Sequence, residues 1–413
     1  MIIYQVLTRL FSKGRFSSFG VRQFDYFKSL SVTHIWYTGI VRHSQDRDYV
    51  KGDWGSPYSI EDYYDVNPYL ADNPDRRLDE FRNLVSRTHR AGLKVIIDFV
   101  PNHVSPDYSD AHGGLVTMHR CDYDWTDTDK IDYGCRDNWT RLLDIILYWA
   151  GMGVDGFRCD MAELVPVEFW TYLIDSAKDV YPELTFIAEV YDKSRYREFI
   201  SGAHFDLLYD KSGLYDRIRG IYAGNESAEG ITSNWQYLSD MQSYMLNFLE
   251  NHDEQRMASD YFAGKAERGY AALAVSALFY PTAFMLYFGQ EIGENAHDGA
   301  QGRTSIFSHV RSINPCGRLN AGQKASLEMY RQVLAVKTSL EHCSNYDLCY
   351  CQGEGFDRRT DFAFLRGVDT LIVCNFSDES KEITVRIPSE AHSDFPPTVK
   401  EKIGPKNFKI LNK

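Results

Sequence analysis

Short apolar segments alternate with longer amphipathic segments along roughly the first 340 residues of the chain. Eight of the short segments are predicted to be β-strands, because apolar runs of this length, many of them rich in β-branched and aromatic residues, are typical of buried strands. They occupy 2–8, 33–40, 94–100, 154–160, 184–190, 204–210, 243–250 and 283–289. Strands that alternate with helices in this way predict an α/β protein built on a parallel (β/α)8 TIM barrel.

Six of the longer segments carry apolar residues at helical spacing, three or four positions apart. They are 77–91, 138–152, 165–181, 212–223, 265–280 and 322–340. In the first of them, Phe81, Leu84 and Val85 share one face, and Gly92 follows as a stop signal.

Three breaks in this rhythm indicate how the chain is divided into domains. A long connection covers 41–76, and a polar, irregular one covers 101–137. After residue 344, short segments that alternate apolar and polar side chains predict antiparallel strands. We therefore expect a catalytic barrel at 1–100 and 138–343, a short insert at 101–137 and a C-terminal β-sandwich domain at 344–413.

The overall composition narrows the class of function. The chain has 413 residues, of which 44% are hydrophobic, and a net charge of −13. Such an acidic chain is unsuited to nucleic acid or to an anionic membrane, since both attract basic surfaces. The N-terminal segment lacks the pattern of a signal peptide, and no apolar run has the length of a membrane span, so a cytoplasmic location is expected.

Polar and charged residues follow four of the predicted strands, at the end where TIM barrels carry their active sites. These residues are Asp98, Asn102 and His103, then Arg158 and Asp160, then Glu189, and finally Asn251, His252 and Asp253. Side chains alternate along a strand, so Arg158 and Asp160 share a face, and the guanidinium is expected to keep the pKa of Asp160 low. A structural salt bridge at the end of the barrel is the alternative interpretation of this pair.

Three of these residues, Asp160, Glu189 and Asp253, are acids on three different strands that would converge on one rim. Metal-assisted hydrolysis is one chemistry that uses such a set. Cleavage of a glycosidic bond is another, and its retaining form needs two carboxyl groups about 5 Å apart.

Four segments resemble the four signature regions of the α-amylase family, glycoside hydrolase family 13. They are DFVPNH (98–103), GFRCDMAE (156–163), FIAEV (186–190) and FLENHD (248–253), and their order and strand assignments also match. Two further segments, 55–68 and 287–293, are similar to stretches that the family carries after the second strand and at the eighth. The resemblance covers the chain from its first predicted strand to about residue 340.

The resemblance implies a role for each of the candidate catalytic residues. Asp160 would be the nucleophile, Glu189 the general acid and then the general base, and Asp253 would hold sugar hydroxyl groups. Arg158 would orient Asp160 and keep it ionised.

It also implies how the sugar would be bound. His103 and His252 would hydrogen-bond the sugar at the scissile position, and Tyr58 would stack on its apolar face. Asp98 would tie the third strand into the rim.

These roles imply a retaining hydrolase of α-1,4-glucosidic bonds in maltooligosaccharides or starch-derived glucans. One alternative is a transglycosylase resembling 4-α-glucanotransferases, which passes the glucosyl unit to another sugar. A second is a non-catalytic carbohydrate-binding relative, which would be expected to lack at least one of the three acids. All three acids are present in this chain.

The short insert departs from the family pattern, and this affects whether a calcium site is expected. In the family a larger insert often holds a calcium ion, and Asn102 stands where the family places one of the ligands. Here the insert's aspartates are crowded within 122–132, and they form either a calcium site or a solvated acidic loop. We expect that no cofactor is required, with calcium possible, and Asn102 would count as a metal ligand only if calcium binds.

Overall fold

The computed structural model describes residues 1–109, 114–298, 302–304, 306–309, 311–343, 346–348 and 356–413. The strands are β1 (Ile2–Leu7), β2 (His34–Thr38), β3 (Val41–His43), β4 (Ile60–Val66), β5 (Lys94–Phe99), β6 (His103–Val104), β7 (Asp129–Lys130), β8 (Gly156–Cys159), β9 (Thr185–Ala188), β10 (Leu207–Tyr209), β11 (Met245–Phe248), β12 (Ala283–Tyr287), β13 (Tyr346–Leu348), β14 (Asp361–Arg366), β15 (Thr370–Asn375), β16 (Lys381–Arg386), β17 (Thr398–Ile403) and β18 (Asn407–Asn412). Eight of them close a barrel in the order β1, β12, β11, β10, β9, β8, β5 and β2. The predicted (β/α)8 barrel is confirmed, and each of its strands lies within a segment that the sequence predicts as a strand.

The α-helices lie between and after the barrel strands. They are α1 (Val21–Ser29), α2 (Arg77–Arg90), α3 (Arg136–Gly151), α4 (Val167–Val180), α5 (Asp216–Tyr222), α6 (Glu229–Leu238), α7 (Tyr270–Leu278) and α8 (Ala321–Ser339). The sequence analysis does not predict α1 and α6, which are nine and ten residues long and bury two and three side chains. Among the described residues, no helix is long and apolar enough to cross a membrane.

The chain divides into two compact units. The first consists of Met1–Tyr209 with Arg303–Gly317, and the second of Asp210–Gly302 with Arg318–Lys413. In the first unit, β8 pairs in parallel with both β5 and β9, which places strand-end residues of consecutive barrel strands side by side. In the second unit, β11 pairs in parallel with β12.

Both long connections of the first unit contain short antiparallel pairs. In the connection after β2, β3 pairs with β4. In the short insert after β5, β6 pairs with β7, so that His103 lies opposite Lys130. This hairpin positions the insert beside the residues that follow β5.

The C-terminal part of the second unit is built from antiparallel sheets, as predicted. One sheet has the order β13, β14, β15 and β18, and the other pairs β16 with β17. They share a buried apolar core that includes Leu371 and Val373 from the first sheet and Ile383 and Val385 from the second. The predicted domain boundary at residue 344 lies outside the described residues. The predicted domain boundaries therefore stay predictions from the sequence.

Candidate active site

A buried arginine joins two carboxylates at the ends of neighbouring strands in the first unit. Asp160 directly follows β8 and Glu189 directly follows β9, and the register pairs Cys159 with Ala188 just before them. Nη1 of Arg158 lies 2.6 Å from Oδ1 of Asp160, and Nη2 lies 2.8 Å from Oε1 of Glu189. Arg158 and Asp160 thus share a face, as strand alternation predicts.

Three aromatic rings surround this guanidinium. Its central carbon lies 5.5 Å from the ring centre of Trp36, 5.3 Å from that of Tyr58 and 5.6 Å from that of Tyr209. These distances allow cation–π attraction, which is strongest where water is excluded. The side chain of Arg158 is fully buried, so the rings and carboxylates hold it in one position.

Asp98 links three elements around the arginine. Its Oδ2 accepts a hydrogen bond from the backbone N–H of Gly39 at 3.1 Å, and its Oδ1 accepts one from the Tyr58 hydroxyl at 3.3 Å. Arg158 Nη1 lies 3.7 Å from the same carboxylate. Burial raises the pKa of Asp98 to about 6, although Arg158 opposes the rise. These contacts tie the end of β5 to its neighbours, as a structural role requires.

The electrostatics of Asp160 differ from the sequence-based expectation. Burial raises the pKa of Asp160, and the opposing effect of Arg158 does not cancel it. The expected low pKa is therefore wrong, because burial of the strand end removes more hydration than one guanidinium replaces. The pKa of Glu189 is also raised, first by burial and then by the charge of Asp160.

Hydrogen bonds that the sequence analysis missed hold Glu189 in place. Its Oε2 accepts from the backbone N–H of Met161 at 2.8 Å, and its Oε1 accepts from the Tyr191 hydroxyl at 2.7 Å. Met161 has a φ of 44°, a left-handed conformation that is unusual for a residue with a side chain. Glu163 accepts from the backbone N–H groups of Tyr191 and Asp192. The spacing of Tyr191, two residues after Glu189 in an extended segment, was a signal that could have identified it.

Two predicted sugar-binding residues are neighbours beside this cluster. Tyr58 and His103 are both buried, and the ring of His103 donates a hydrogen bond to the backbone carbonyl of Tyr58. Burial lowers the pKa of His103 to about 4, so its imidazole is neutral near pH 7. A neutral imidazole offers one donor and one acceptor, which suits hydrogen bonding to a hydroxyl group.

The other two predicted site residues lie in the second unit, in the loop after β11. Nε2 of His252 lies 3.0 Å from Oδ2 of Asp253. Oδ1 of Asn251 accepts from the backbone N–H groups of Asp253 and Glu254, at 2.8 and 2.9 Å. His252 is buried, whereas about a third of the Asp253 side chain is exposed (34%). The loop thus presents Asp253 on a turn that Asn251 holds.

A buried ion pair, also missed by the sequence analysis, anchors the same loop. Nη1 of Arg256 donates to Oε2 of Glu250 and to the carbonyl of Phe288, both at 2.9 Å. The other Glu250 oxygen accepts from the backbone N–H of Met257 at 2.7 Å. Burial raises the pKa of Glu250 to about 7, against the effect of Arg256.

Two acids of the short insert, Asp122 and Asp127, are each paired with a different lysine. Both oxygens of Asp122 lie 2.9 Å from Nζ of Lys130, and one of them also accepts from Asn102 Nδ2 at 2.9 Å. Asp127 pairs with Lys51 at 3.1 Å. Oδ1 of Asn102 is buried with no hydrogen-bond partner among the described residues. Within the same part of the chain, no three His, Cys, Asp or Glu side chains are grouped closely enough to hold a metal ion, so the protein side chains that surround Asn102 supply few of the six to eight oxygens that calcium needs.

Comparison with known proteins agrees with these features. Residues 5–131 match the family model described as the catalytic domain of α-amylase. The α-amylase MalA of Haloarcula japonica is 30% identical over 320 residues, which cover 71% of this chain and 44% of that protein. Neopullulanase 2 of Thermoactinomyces vulgaris is 23% identical over 401 residues, covering 89% of this chain and 63% of that protein. The chain thus spans about half the length of these curated relatives.

Solved structures share the fold along the whole chain. The α-amylase of Geobacillus thermoleovorans, complexed with acarbose, superimposes with a TM-score of 0.78 and 19% identity. The match covers 99% of this chain and 97% of that one.

Proposed function

Because the chain belongs to the α-amylase family, we propose that it is a retaining glycoside hydrolase that cleaves α-1,4-glucosidic bonds in maltooligosaccharides or starch-derived glucans. The observation that carries the proposal is the contact of Asp160 and Glu189 with one buried guanidinium. Two carboxyl groups held side by side suit a double displacement, whereas an inverting enzyme keeps them farther apart to admit a water molecule.

In the first proposed step, Oδ of Asp160 attacks the anomeric carbon while the bond from that carbon to the leaving oxygen breaks. Glu189 gives its proton to the leaving oxygen, and a glycosyl ester of Asp160 remains. The raised pKa of Glu189 supports this role, since an acid must arrive protonated. As the ester forms, Asp160 loses its negative charge, and Arg158 remains paired with the newly ionised Glu189.

In the second proposed step, water enters and Glu189 takes one of its protons. The resulting hydroxide attacks the anomeric carbon, the ester bond breaks, and Asp160 leaves as a carboxylate. Two inversions at one carbon restore the α configuration. If a sugar hydroxyl takes the place of water, the same site performs transglycosylation.

The remaining predicted residues would bind the sugar. We assign to Asp253 the holding of sugar hydroxyl groups in the transition state, and to His103 and His252 hydrogen bonds to the sugar at the scissile position. Tyr58 would offer its ring to the apolar face of that sugar. The neutral state of His103 supports its role, because a neutral ring can both donate and accept.

Product stereochemistry tests the proposed route. Cleavage of maltoheptaose followed by NMR is expected to give the α anomer first, with β anomer appearing only at the rate of mutarotation. Chromatography of the same samples separates hydrolysis from transfer, since transfer yields chains longer than the substrate. An initial β anomer would contradict the double displacement, and a complete lack of cleavage of maltoheptaose, amylose and pullulan would contradict the activity.

We also propose that catalysis does not require calcium. The ammonium group of Lys130 already neutralises Asp122, the insert acid that Asn102 contacts. Because the ammonium group of Lys130 balances the charge of Asp122, no bound cation is needed to neutralise this carboxylate. The cytoplasmic location inferred from the sequence likewise remains a proposal.

Removal of calcium is therefore expected to leave the enzyme unchanged. After exhaustive dialysis against EGTA, activity should stay within about 20% and the melting temperature within about 2 °C, with or without added calcium. Lys130→Met should lower the melting temperature, because it leaves the partly buried carboxylate of Asp122 without its cationic partner. A drop of many degrees in the wild type, reversed by calcium alone, would show that Asn102 is a metal ligand.

A further inference from the structure

Two aromatic residues of the short insert, one exposed and one half-buried, form a surface that the proposed mechanism does not use. We call Tyr123 and Trp125 the aromatic platform. Their ring centres lie 5.0 Å apart, and Tyr123 is 71% exposed to solvent. Tyr123 also has a φ of 52°, a left-handed conformation that is costly for a side chain of this size. Its ring lies on the surface and contributes little to a buried core.

The platform continues from the candidate site through ring contacts. The Trp125 ring centre lies 5.5 Å from that of His103, whose ring donates to the carbonyl of Tyr58. The ring of Tyr58 in turn lies against Arg158, the partner of Asp160. A row of rings therefore leads from the proposed nucleophile to the exposed face of Tyr123.

Polar contacts hold the platform in one position. Lys51 donates to the carbonyl of Asp124 and pairs with the carboxylate of Asp127, both at 3.1 Å. The Ser59 hydroxyl donates to the Asp127 carbonyl at 2.6 Å, and the Thr128 hydroxyl donates to the Trp125 carbonyl at 2.8 Å. Rings fixed in advance lose little entropy when a ligand stacks on them.

We propose that the aromatic platform binds a further glucosyl unit of the same glucan chain, next to the unit that His103 would hold. The inference rests on the proposed function. Pyranose rings present apolar C–H faces that stack on aromatic rings, while their hydroxyl groups need polar partners at the edge. Lys51 and Asp124 supply such partners beside the rings, since the Lys51 side chain is partly exposed and Asp124 is exposed. The platform would therefore favour long chains over short ones.

Substrates of different length test this proposal in the full chain. Trp125→Ala is expected to lower kcat/KM for maltoheptaose about tenfold, mainly through KM, which corresponds to about 1.4 kcal/mol. Hydrolysis of α-glucosyl fluoride, which has one sugar ring, should change less than about twofold, because it does not reach the platform. Trp125→Phe should restore most of the lost activity, since it keeps a stacking face.

A matched control is Tyr181→Ala. Tyr181 is also exposed, at 36%, but it lies between α4 and β9, at the strand beginnings rather than the strand ends. An equal loss of kcat/KM in Trp125→Ala and Tyr181→Ala, or an equal loss for both substrates, would overturn the platform proposal.

A binding measurement distinguishes failure of the platform proposal from failure of the proposed function. In the inactive Asp160→Asn background, calorimetry with maltoheptaose should show a Kd about tenfold higher for Trp125→Ala. If the wild type cleaves no glucan but this difference persists, the proposed function fails and the platform stands. If cleavage is normal and Kd does not change, the platform fails and the function stands.

Discussion

Replacing Asp160 by asparagine is expected to reduce turnover of glucans by roughly four or more powers of ten. The amide cannot form the glycosyl ester, and it cannot leave as a carboxylate in the second step. The replacement keeps the size of the side chain and an oxygen that can accept from Arg158 Nη1, now 2.6 Å away. The expected loss therefore reflects chemistry rather than misfolding.

Stability measurements distinguish these causes. Burial raises the pKa of Asp160, so the folded state favours the protonated carboxyl group and ionisation costs stability. The stabilisation from this group is complete below the unfolded pKa and is lost as pH rises through the folded pKa. Near neutral pH, Asp160→Asn removes this cost, and the melting temperature should equal or exceed that of the wild type. Asp179→Asn, on the exposed face of α4, is a control that should leave both the turnover of glucans and the melting temperature unchanged. Retention of more than about a tenth of the wild-type activity would contradict the nucleophile assignment.

The sequence predicts which strands carry the candidate site and which polar residues end them, because barrel geometry follows from local patterns. Apolar runs of strand length locate β8 and β9, and the polar residues that end them are then Arg158, Asp160 and Glu189. Alternation along a strand needs no knowledge of the rest of the molecule. The ion pair between Arg158 and Asp160 could therefore be predicted from the three residues 158–160.

Features that depend on distant packing could not be predicted in this way. The direction of the Asp160 pKa shift depends on burial. The rings of Trp36, Tyr58 and Tyr209, which surround its partner Arg158, come from three other parts of the chain. The pairing of Asp122 with Lys130 depends on how the insert folds around the β6–β7 hairpin. Charge patterns alone leave both a calcium site and a solvated loop open, whereas packing pairs Asp122 with Lys130 and Asp127 with Lys51.

Replacing Glu189 by glutamine is expected to separate the two halves of the proposed reaction. Natural glucans need a proton on the leaving oxygen, so their turnover should fall by roughly three or more powers of ten. An α-maltosyl fluoride needs no such proton, because fluoride leaves unaided. Its first step should survive the replacement, and the glycosyl ester on Asp160 should accumulate, since the base for the second step is missing. Mass spectrometry of the quenched enzyme would detect the added glycosyl group.

The pH dependence provides an independent check on Glu189. Its pKa is raised by burial and by Asp160, so in the wild type the rate with natural glucans should fall as pH rises through that pKa and Glu189 loses its proton. In Glu189→Gln, formation of the ester from the fluoride should lack this alkaline limb, while the acidic limb from protonation of Asp160 should remain. Tyr191→Phe, which removes one hydrogen bond to Oε1, is a matched variant that should shift the alkaline limb upward without removing it. If glucans and the fluoride lost activity by the same factor, or if the alkaline limb persisted in Glu189→Gln, another group would have to be the acid.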